Sequence, residues 1–327
     1  MNKKLLPLLI FAMLFIVACS NDTKEEVIDD GAVEESANSE NTEDFPVTVT
    51  NNDKDITIEK KPEKIIPMSL ETAEIVLSLT DASDVIATTR GIDNPLLSTK
   101  HEEGQEIEHR IGAATNIDPE EIIAHETDLL IMTKMYGQEE DAEDILAQFD
   151  TPILSFDPFV TVEGFQEAFK IVGEAIGEKK KATSIVDDMN ESIKNIQADI
   201  PEDESPTVLV LSEVGGDMGP FMLGPTNISY DLVKLAGATP AADVIDMERS
   251  APAEIEQILK VDPDYIILLD FFGKGEASFE NLMKDPAWNT LQAVQDDKVL
   301  LDEAKNILNP NVDNVKGLQT IVDFIYE

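Results

Sequence analysis

The sequence predicts an α/β protein made of two parallel-sheet lobes joined by a single long backbone helix, with a ligand cleft between the lobes. Three observations predict it. Short apolar runs alternate with amphipathic helical segments in both halves of the chain, which is how helices come to cover parallel sheets. Residues 162–198 keep helical spacing for about 37 residues, through Phe165, Ala168, Phe169, Val172, Ile176, Ile185, Met189, Ile193 and Ile196. Unbroken, that segment would be about 55 Å long, too much for a crossover inside one small lobe, so it reads as a connector. Finally, residues 119–131 and 255–267 repeat one pattern: a Glu opens a short helix, an Asp follows seven or eight residues later, and an apolar strand comes next.

The elements follow in order. Residues 47–50 and 56–58 alternate apolar with polar around Asn51-Asn52-Asp53, a β-hairpin signature. Strands are expected at 64–67, 84–88, 128–132 and 152–156, with helices over 70–79, 119–124 and 141–149. Within the connector only Gly173 and Gly177 weaken the helix. After 201–206 the beat resumes with strands at 207–211, 264–269 and 298–301, and helices over 230–236, 253–259, 279–284 and 312–326. The domain boundaries are therefore 45–161 for the first lobe, 162–200 for the connecting helix and 201–327 for the second lobe.

The first 44 residues are a different material. Asn2, Lys3 and Lys4 precede an apolar run over 5–18, broken only by Pro7. That is the layout of a secretory signal, too short to span a bilayer comfortably. Ile16-Val17-Ala18-Cys19 resembles the lipobox of bacterial lipoproteins. The resemblance implies a signal peptide over 1–18, cleavage before Cys19, lipidation of its thiol, and retention at the outer face of the cytoplasmic membrane. Residues 20–44 hold Glu, Asp, Asn, Ser and Thr with almost nothing apolar, so they read as a disordered acidic tether. Cys19 is the only cysteine, so no disulfide can form within the chain.

Sixty-seven acidic residues against 24 basic ones give a formal net charge of −43. Such a surface repels phosphate backbones, which excludes nucleic acid as a natural partner. No nucleophile elbow, phosphate-binding loop or His-Glu-x-x-His zinc motif occurs, so the reading is of a non-enzyme. Val214-Gly215-Gly216-Asp217 is expected to be a flexible turn. His101, His109 and His125 are expected as separate solvated residues with no shared metal-ligand face.

Several stretches together resemble a known family. They are the lipobox, the acidic tether, Lys61-Pro62-Glu63-Lys64-Ile65-Ile66, the paired helix–strand pattern, Phe221-Met222-Leu223-Gly224-Pro225 with Tyr230 to Gly237, and Asp285-Pro286-Ala287-Trp288 with its continuation to Val299. In this order, from about residue 45 to the end, they resemble the substrate-binding proteins of iron-chelate importers, ATP-driven transporters for ferric siderophores, haem and corrinoids. The resemblance implies a monomeric receptor without an intrinsic cofactor or metal of its own. It captures a ferric siderophore and delivers it to a membrane permease, with haem or cobalamin as the alternative ligand. It also implies that one Glu per lobe, Glu120 and Glu256, docks on the permease.

Ligand residues in α/β lobes are expected on loops at the carboxyl ends of strands. Those loops offer Met68, Ser69, Arg90, Met135, Tyr136, Asp157 and Phe159 in the first lobe. The second offers Met218, Phe221, Arg249, Phe271, Phe272, Lys305 and Asn309. Two of the three arginines, Arg90 and Arg249, fall on these loops, one in each lobe, where facing guanidinium forks would hold a polyanionic chelate. The loops contain no His for a haem iron, which leaves Met68, Met135 or Tyr136 as its axial ligand.

Overall fold

Strand periodicity in the first half becomes a small parallel sheet. The computed structural model describes residues 45–112, 119–134, 145–146, 150–201, 203–214 and 216–327. The expected signal, tether and Cys19 lie outside the described residues, as do Met135, Tyr136 and most of the helix expected over 141–149. The hairpin forms as β1 (Val47–Asn51) and β2 (Lys54–Ile58), antiparallel in full register. Strands β3 (Ile65–Pro67), β6 (Leu129–Thr133) and β7 (Ile153–Phe156) pair in parallel in the order β3-β6-β7. A parallel pair, β4 (Ala87–Thr89) and β5 (His109–Ile111), is joined to β3 through an Ile65–Val85 bridge. Helix α1 (Leu70–Leu79) starts at a capping box in which Ser69 and Thr72 satisfy each other's backbone N–H groups. Helix α2 (Pro119–Ala124) leads into β6.

The second half holds a six-stranded sheet. Its path is β11 (Ala251–Pro252), β9 (Phe221–Met222), β8 (Thr207–Ser212), β12 (Tyr265–Asp270) and β13 (Val299–Glu303), with β10 (Thr239–Pro240) pairing the start of β8. β8, β10, β12 and β13 run parallel, while β9 pairs antiparallel with β8, and β11 antiparallel with β9. Helices α5 (Ile228–Leu235), α6 (Ile255–Val261) and α7 (Asn314–Tyr326) fill the crossovers and the C-terminus.

The connector is two helices, which corrects the expectation of a single long one. Helix α3 (Val162–Ala175) stops, and α4 (Lys179–Gln197) starts three residues later. The stop is a Schellman motif: Gly177 adopts φ +75°, its N–H donates to Glu174 O at 3.2 Å, and Glu178 N–H donates to Gly173 O at 2.6 Å. Helical spacing survives the break because both segments bury one face, Phe165, Phe169 and Val172 on α3 and Ala182, Val186 and Met189 on α4. One apolar cluster runs from Val49 and Ile65 through Phe165, Val186 and Met189 to Val210, Ile228 and Leu318, so the two lobes share a core. Among the described residues, no helix is long and apolar enough to cross a membrane.

A buried carboxylate fixes the loop that reaches from the first lobe to the second. Glu74 on α1 is 1% exposed. It accepts from Ser98 Oγ at 2.6 Å, Thr99 N at 2.8 Å, Lys100 N at 3.4 Å and the Thr99 hydroxyl. Just ahead of that segment, Asn94 Nδ2 donates to Phe271 O at 3.0 Å, and Leu97 O accepts from Asn309 Nδ2 at 2.8 Å. At the other end of the contact, Asp231 Oδ2 on α5 accepts from the N–H of Val162, the first residue of α3, at 2.9 Å.

Two outcomes follow from this packing. A Cβ on Gly173 would lie 2.3 Å from the Ala182 Cβ. Gly173→Ala should therefore destabilise the fold by about 1–3 kcal/mol from overpacking, outweighing the roughly 1 kcal/mol that Ala gains over Gly in a helix. Denaturant unfolding measures it, and a neutral or stabilised variant contradicts the close α3–α4 approach. The second outcome concerns pH. Burial raises the Glu74 carboxyl above its ordinary value, against the lowering effect of its hydrogen bonds. The folded state then holds this proton more tightly than the unfolded chain, so Glu74 stabilises most below the ordinary Glu range, and the contribution is lost as pH rises through the folded value. The stability of the wild type relative to Glu74→Gln should accordingly fall as pH rises from 4 to 8; a difference flat in pH refutes it.

Candidate functional site

The parallel strands of both lobes release their chain into loops on one side of the molecule, where ligands bind in α/β sheets. There a cavity of about 730 Å³ opens. Pro158 and Val160 enter it from the loop after β7, Val214 and Met218 from the segment after β8, and Phe271 from the loop after β12. Phe221, Leu223 and Leu308 complete an apolar wall. Four neutral polar residues, Thr226, Asn227, Ser250 and Asn309, share the lining. No charged side chain is among the described residues that line it.

Those polar groups are held before any ligand arrives. Asn227 caps α5 by accepting from Ser229 N at 2.9 Å and donates to Leu308 O at 3.2 Å. Ser250 Oγ accepts from Gly224 N at 3.1 Å, and Thr226 Oγ1 accepts from Ser250 N at 3.1 Å. Gly224 permits this approach, because a Cβ there would stand 3.1 Å from the Arg249 carbonyl carbon. Asn309 is tied to the first lobe through Leu97, as described above. A preset, mostly apolar cavity with a few aimed polar groups suits a small ligand.

The sequence expectations meet this site unevenly. Met218, 69% exposed, and Phe271 line the cavity. Phe272 packs edge-on to Phe271 with centroids 4.8 Å apart and faces a smaller adjoining pocket. Met68 does not take part: its N–H continues the sheet to Ile131 O at 2.8 Å, and its side chain is fully buried against the Ile66, Leu130 and Met132 cluster. Phe159 is 8% exposed and stacks on Phe156 and Phe165, supporting the wall from behind. Ser69 is the α1 cap, and Lys305 pairs with Glu303 at 2.6 Å.

Arg90 and Arg249 are exposed, and neither is among the residues that line this cavity. The third arginine, Arg110, is engaged elsewhere: its Nε and Nη2 grip the Asp93 carboxylate at 2.8–3.0 Å, which lowers the Asp93 pKa. Tyr136 lies outside the described residues. Glu120 and Glu256 are both exposed, each the second residue of a short helix, α2 and α6, that precedes a central strand of its lobe.

The histidines also differ from expectation. β5 and the turn after α2 bring His109 and His125 together, ring centroids 4.9 Å apart, beside Glu106 and Glu108. Among the described residues no group of three or more His, Cys, Asp or Glu side chains is placed to hold a metal. Sequence reasoning missed Pro158, Val160, Val214, Leu223, Thr226, Asn227, Ser250 and Leu308 as lining residues. It also missed Glu213, a carboxylate placed directly after the buried strand β8, which is the signal that finds it.

With this geometry established, likeness to known proteins can be weighed. The chain is 23% identical over 322 residues to YvrC, an uncharacterized ABC transporter substrate-binding lipoprotein of Bacillus subtilis (strain 168), covering 97% of this chain and 95% of that one. Its fold is similar to a protein of an ABC-type Fe3+-hydroxamate transport system from Saccharomonospora viridis DSM 43017, with TM-score 0.68 and 21% identity over 87% of this chain and 100% of that one. It is also similar to the periplasmic heme-binding protein RhuT from Roseiflexus sp. RS-1, with TM-score 0.67 and 20% identity over 81% and 98% of the two chains. Residues 65–305, which carry both lobes and every described wall of the cavity but Leu308 and Asn309, match the periplasmic binding protein family, and the chain belongs to that family.

Proposed function

We propose that this protein is the substrate-binding component of an ATP-driven importer, and that it captures a ferric siderophore and delivers it to a membrane permease. The observation that carries this reading is the largely apolar wall of the cavity between the lobes, in which no described lining residue is charged. That wall also narrows the chelate. Three catecholates around Fe(III) make a trianion, whereas three hydroxamates make a neutral complex. A trianion would enter an apolar site without a counter-charge, in a molecule of net charge −43, and its desolvation would go uncompensated. A neutral or cationic hydroxamate chelate meets neither obstacle. The likeness to a protein of an Fe3+-hydroxamate system supports the same choice.

Haem is the second reading, and Met218 favours it. Its thioether, on a side chain 69% exposed at the cavity, is a possible axial ligand, and the likeness to a heme-binding protein points the same way. His and Tyr are absent from the described lining residues. In this reading of the whole chain, acylated Cys19 and the acidic tether keep the receptor at the membrane, because two or three acyl chains suffice for stable anchoring. Glu120 and Glu256, at matching places on the two lobes, offer one carboxylate each to basic residues of the permease.

Calorimetric titration of the mature protein should find a neutral ferric tris-hydroxamate bound about tenfold or more tighter than a ferric tris-catecholate. Tight haemin binding with a Soret shift, and no response to either chelate, would sink the siderophore reading. For docking, Glu120→Ala with Glu256→Ala should lower radioiron uptake by cells about tenfold or more, since paired charges at an interface govern association. Chelate affinity of the purified double variant should stay within about twofold; unchanged uptake rejects these residues as the docking pair.

A further inference from the structure

Beside the main cavity lies a pocket of about 200 Å³, lined by Glu213, Gly216, Gly219, Phe272, Lys274 and Ser278. The two share their walls. The segment after β8 gives Val214 and Met218 to the cavity and Gly216 and Gly219 to the pocket, and the loop after β12 gives Phe271 to one and Phe272 to the other. Glu213 is 4% exposed. Its Oε1 accepts from Phe272 N at 3.1 Å and Ser278 Oγ at 2.5 Å. Its Oε2 is covered from solvent and has no hydrogen-bond partner among the described residues. A buried carboxylate oxygen left without a donor is a costly exception in folded proteins and calls for an explanation.

The nearest cation does not supply the donor. Lys274 Nζ sits over the Phe272 ring, 5.3 Å from its centroid; its charge lowers the Glu213 pKa, but among the described residues it makes no hydrogen bond to Oε2. A second carboxylate, Asp270, lies close enough to Glu213 to raise its pKa, and its oxygens accept the N–H groups of Gly273, Lys274 and Gly275 at 2.7–3.1 Å. Two carboxylates and one ammonium leave the pocket a net negative neighbourhood. Gly216 and Gly219 adopt φ +54° and +83°, and a Cβ on either would meet nothing within 4 Å, so open space borders the turn. No metal-holding group of three or more ligands occurs among the described residues. At about 30 Å³ per water-sized group, the pocket has room for a short aliphatic arm.

We infer that Glu213 ends a subsite for a protonated amine carried on an arm of the bound chelate, with the iron-bearing body in the main cavity. The ammonium donates to Oε2, and Phe272 and the glycine turn flank the arm. This deepens the receptor reading and rests on it: the ligand class becomes a hydroxamate chelate with a free terminal amine.

The test uses two probes of nearly equal size, ferric desferrioxamine B, which ends in a free ammonium, and its N-acetylated form, which does not. Wild-type protein should bind the amine form about tenfold or more tighter, the scale of a hydrogen bond to a charged group. Because a net charge of −43 attracts any cation, the preference should persist at about 0.5 M salt, where exposed charges are screened. Glu213→Gln, which keeps the Oε1 acceptor for Phe272 and Ser278, should bind both forms alike. Equal affinity of the wild type for the two forms at high salt, or a preference that survives Glu213→Gln, overturns the subsite and leaves the receptor reading standing. Failure of the wild type to bind either form, with haemin bound instead, overturns both. Should Glu213→Gln not fold, the wild-type comparison at high salt decides alone.

Discussion

The Glu74 carboxylate is the contact on which the relation between the lobes turns. A carboxyl group that is 1% exposed survives only if its oxygens are saturated, and here the donors come from Ser98, Thr99 and Lys100. That requirement makes an otherwise irregular segment fixed. Once it is fixed, Asn94 and Leu97 stand where Phe271 and Asn309 can bond to them, and both of those residues line the cavity. A carboxylate on the first helix thus helps to shape a site built mostly from the second lobe.

The spine supplies the rest of the rigidity. Had α3 and α4 been one rod, the lobes would touch only at its ends. Folding it back at Gly177 instead packs the two helices face to face and lets one apolar cluster pass through them into both sheets. Separating the lobes would expose part of that shared core, at about 25 cal/mol for each Å² of apolar surface. A preset cavity that loses little conformational freedom on binding is the expected consequence.

How far the sequence revealed this depends on the range of the interaction. Strand and helix periodicity is local, so α1 and α2 run over 70–79 and 119–124 as expected, and most expected strands fall within a residue or two, while the one expected over 84–88 forms at 87–89 and the short β5, β9, β10 and β11 were not expected. Gly177 was visible as a weak point, but helical spacing alone cannot tell a kink from a stop; that is decided by the hydrogen bonds of Gly177 and Glu178. Arg90 and Arg249 stood out by rarity, yet neither is among the residues lining the cavity, because loop position fixes a Cα and not the direction of a long side chain. Met68 sat at the carboxyl end of a strand, yet it extends the β3–β6 pairing by one residue and points inward. The approach of His109 to His125 depends on β5 pairing with β4 and on the turn after α2, neither of which is written in their spacing.

Glu213 was hidden for the opposite reason: in a chain with 67 acidic residues, one more drew no notice. Its environment separates it from the rest. Most of those carboxylates are solvated, and at physiological salt their individual fields fade within about 8 Å. Collectively they leave the exterior hostile to anions, while the described residues of the cavity wall offer no charge to compensate one. Glu213 lies behind that wall, covered from solvent, with its carboxyl raised above the ordinary range by burial. A donor that reaches it exchanges water for a contact in a low-dielectric site, where such a contact is strongest. Surface charge, apolar wall and buried carboxylate therefore select in the same direction: the first two against anions, the third for a cationic arm.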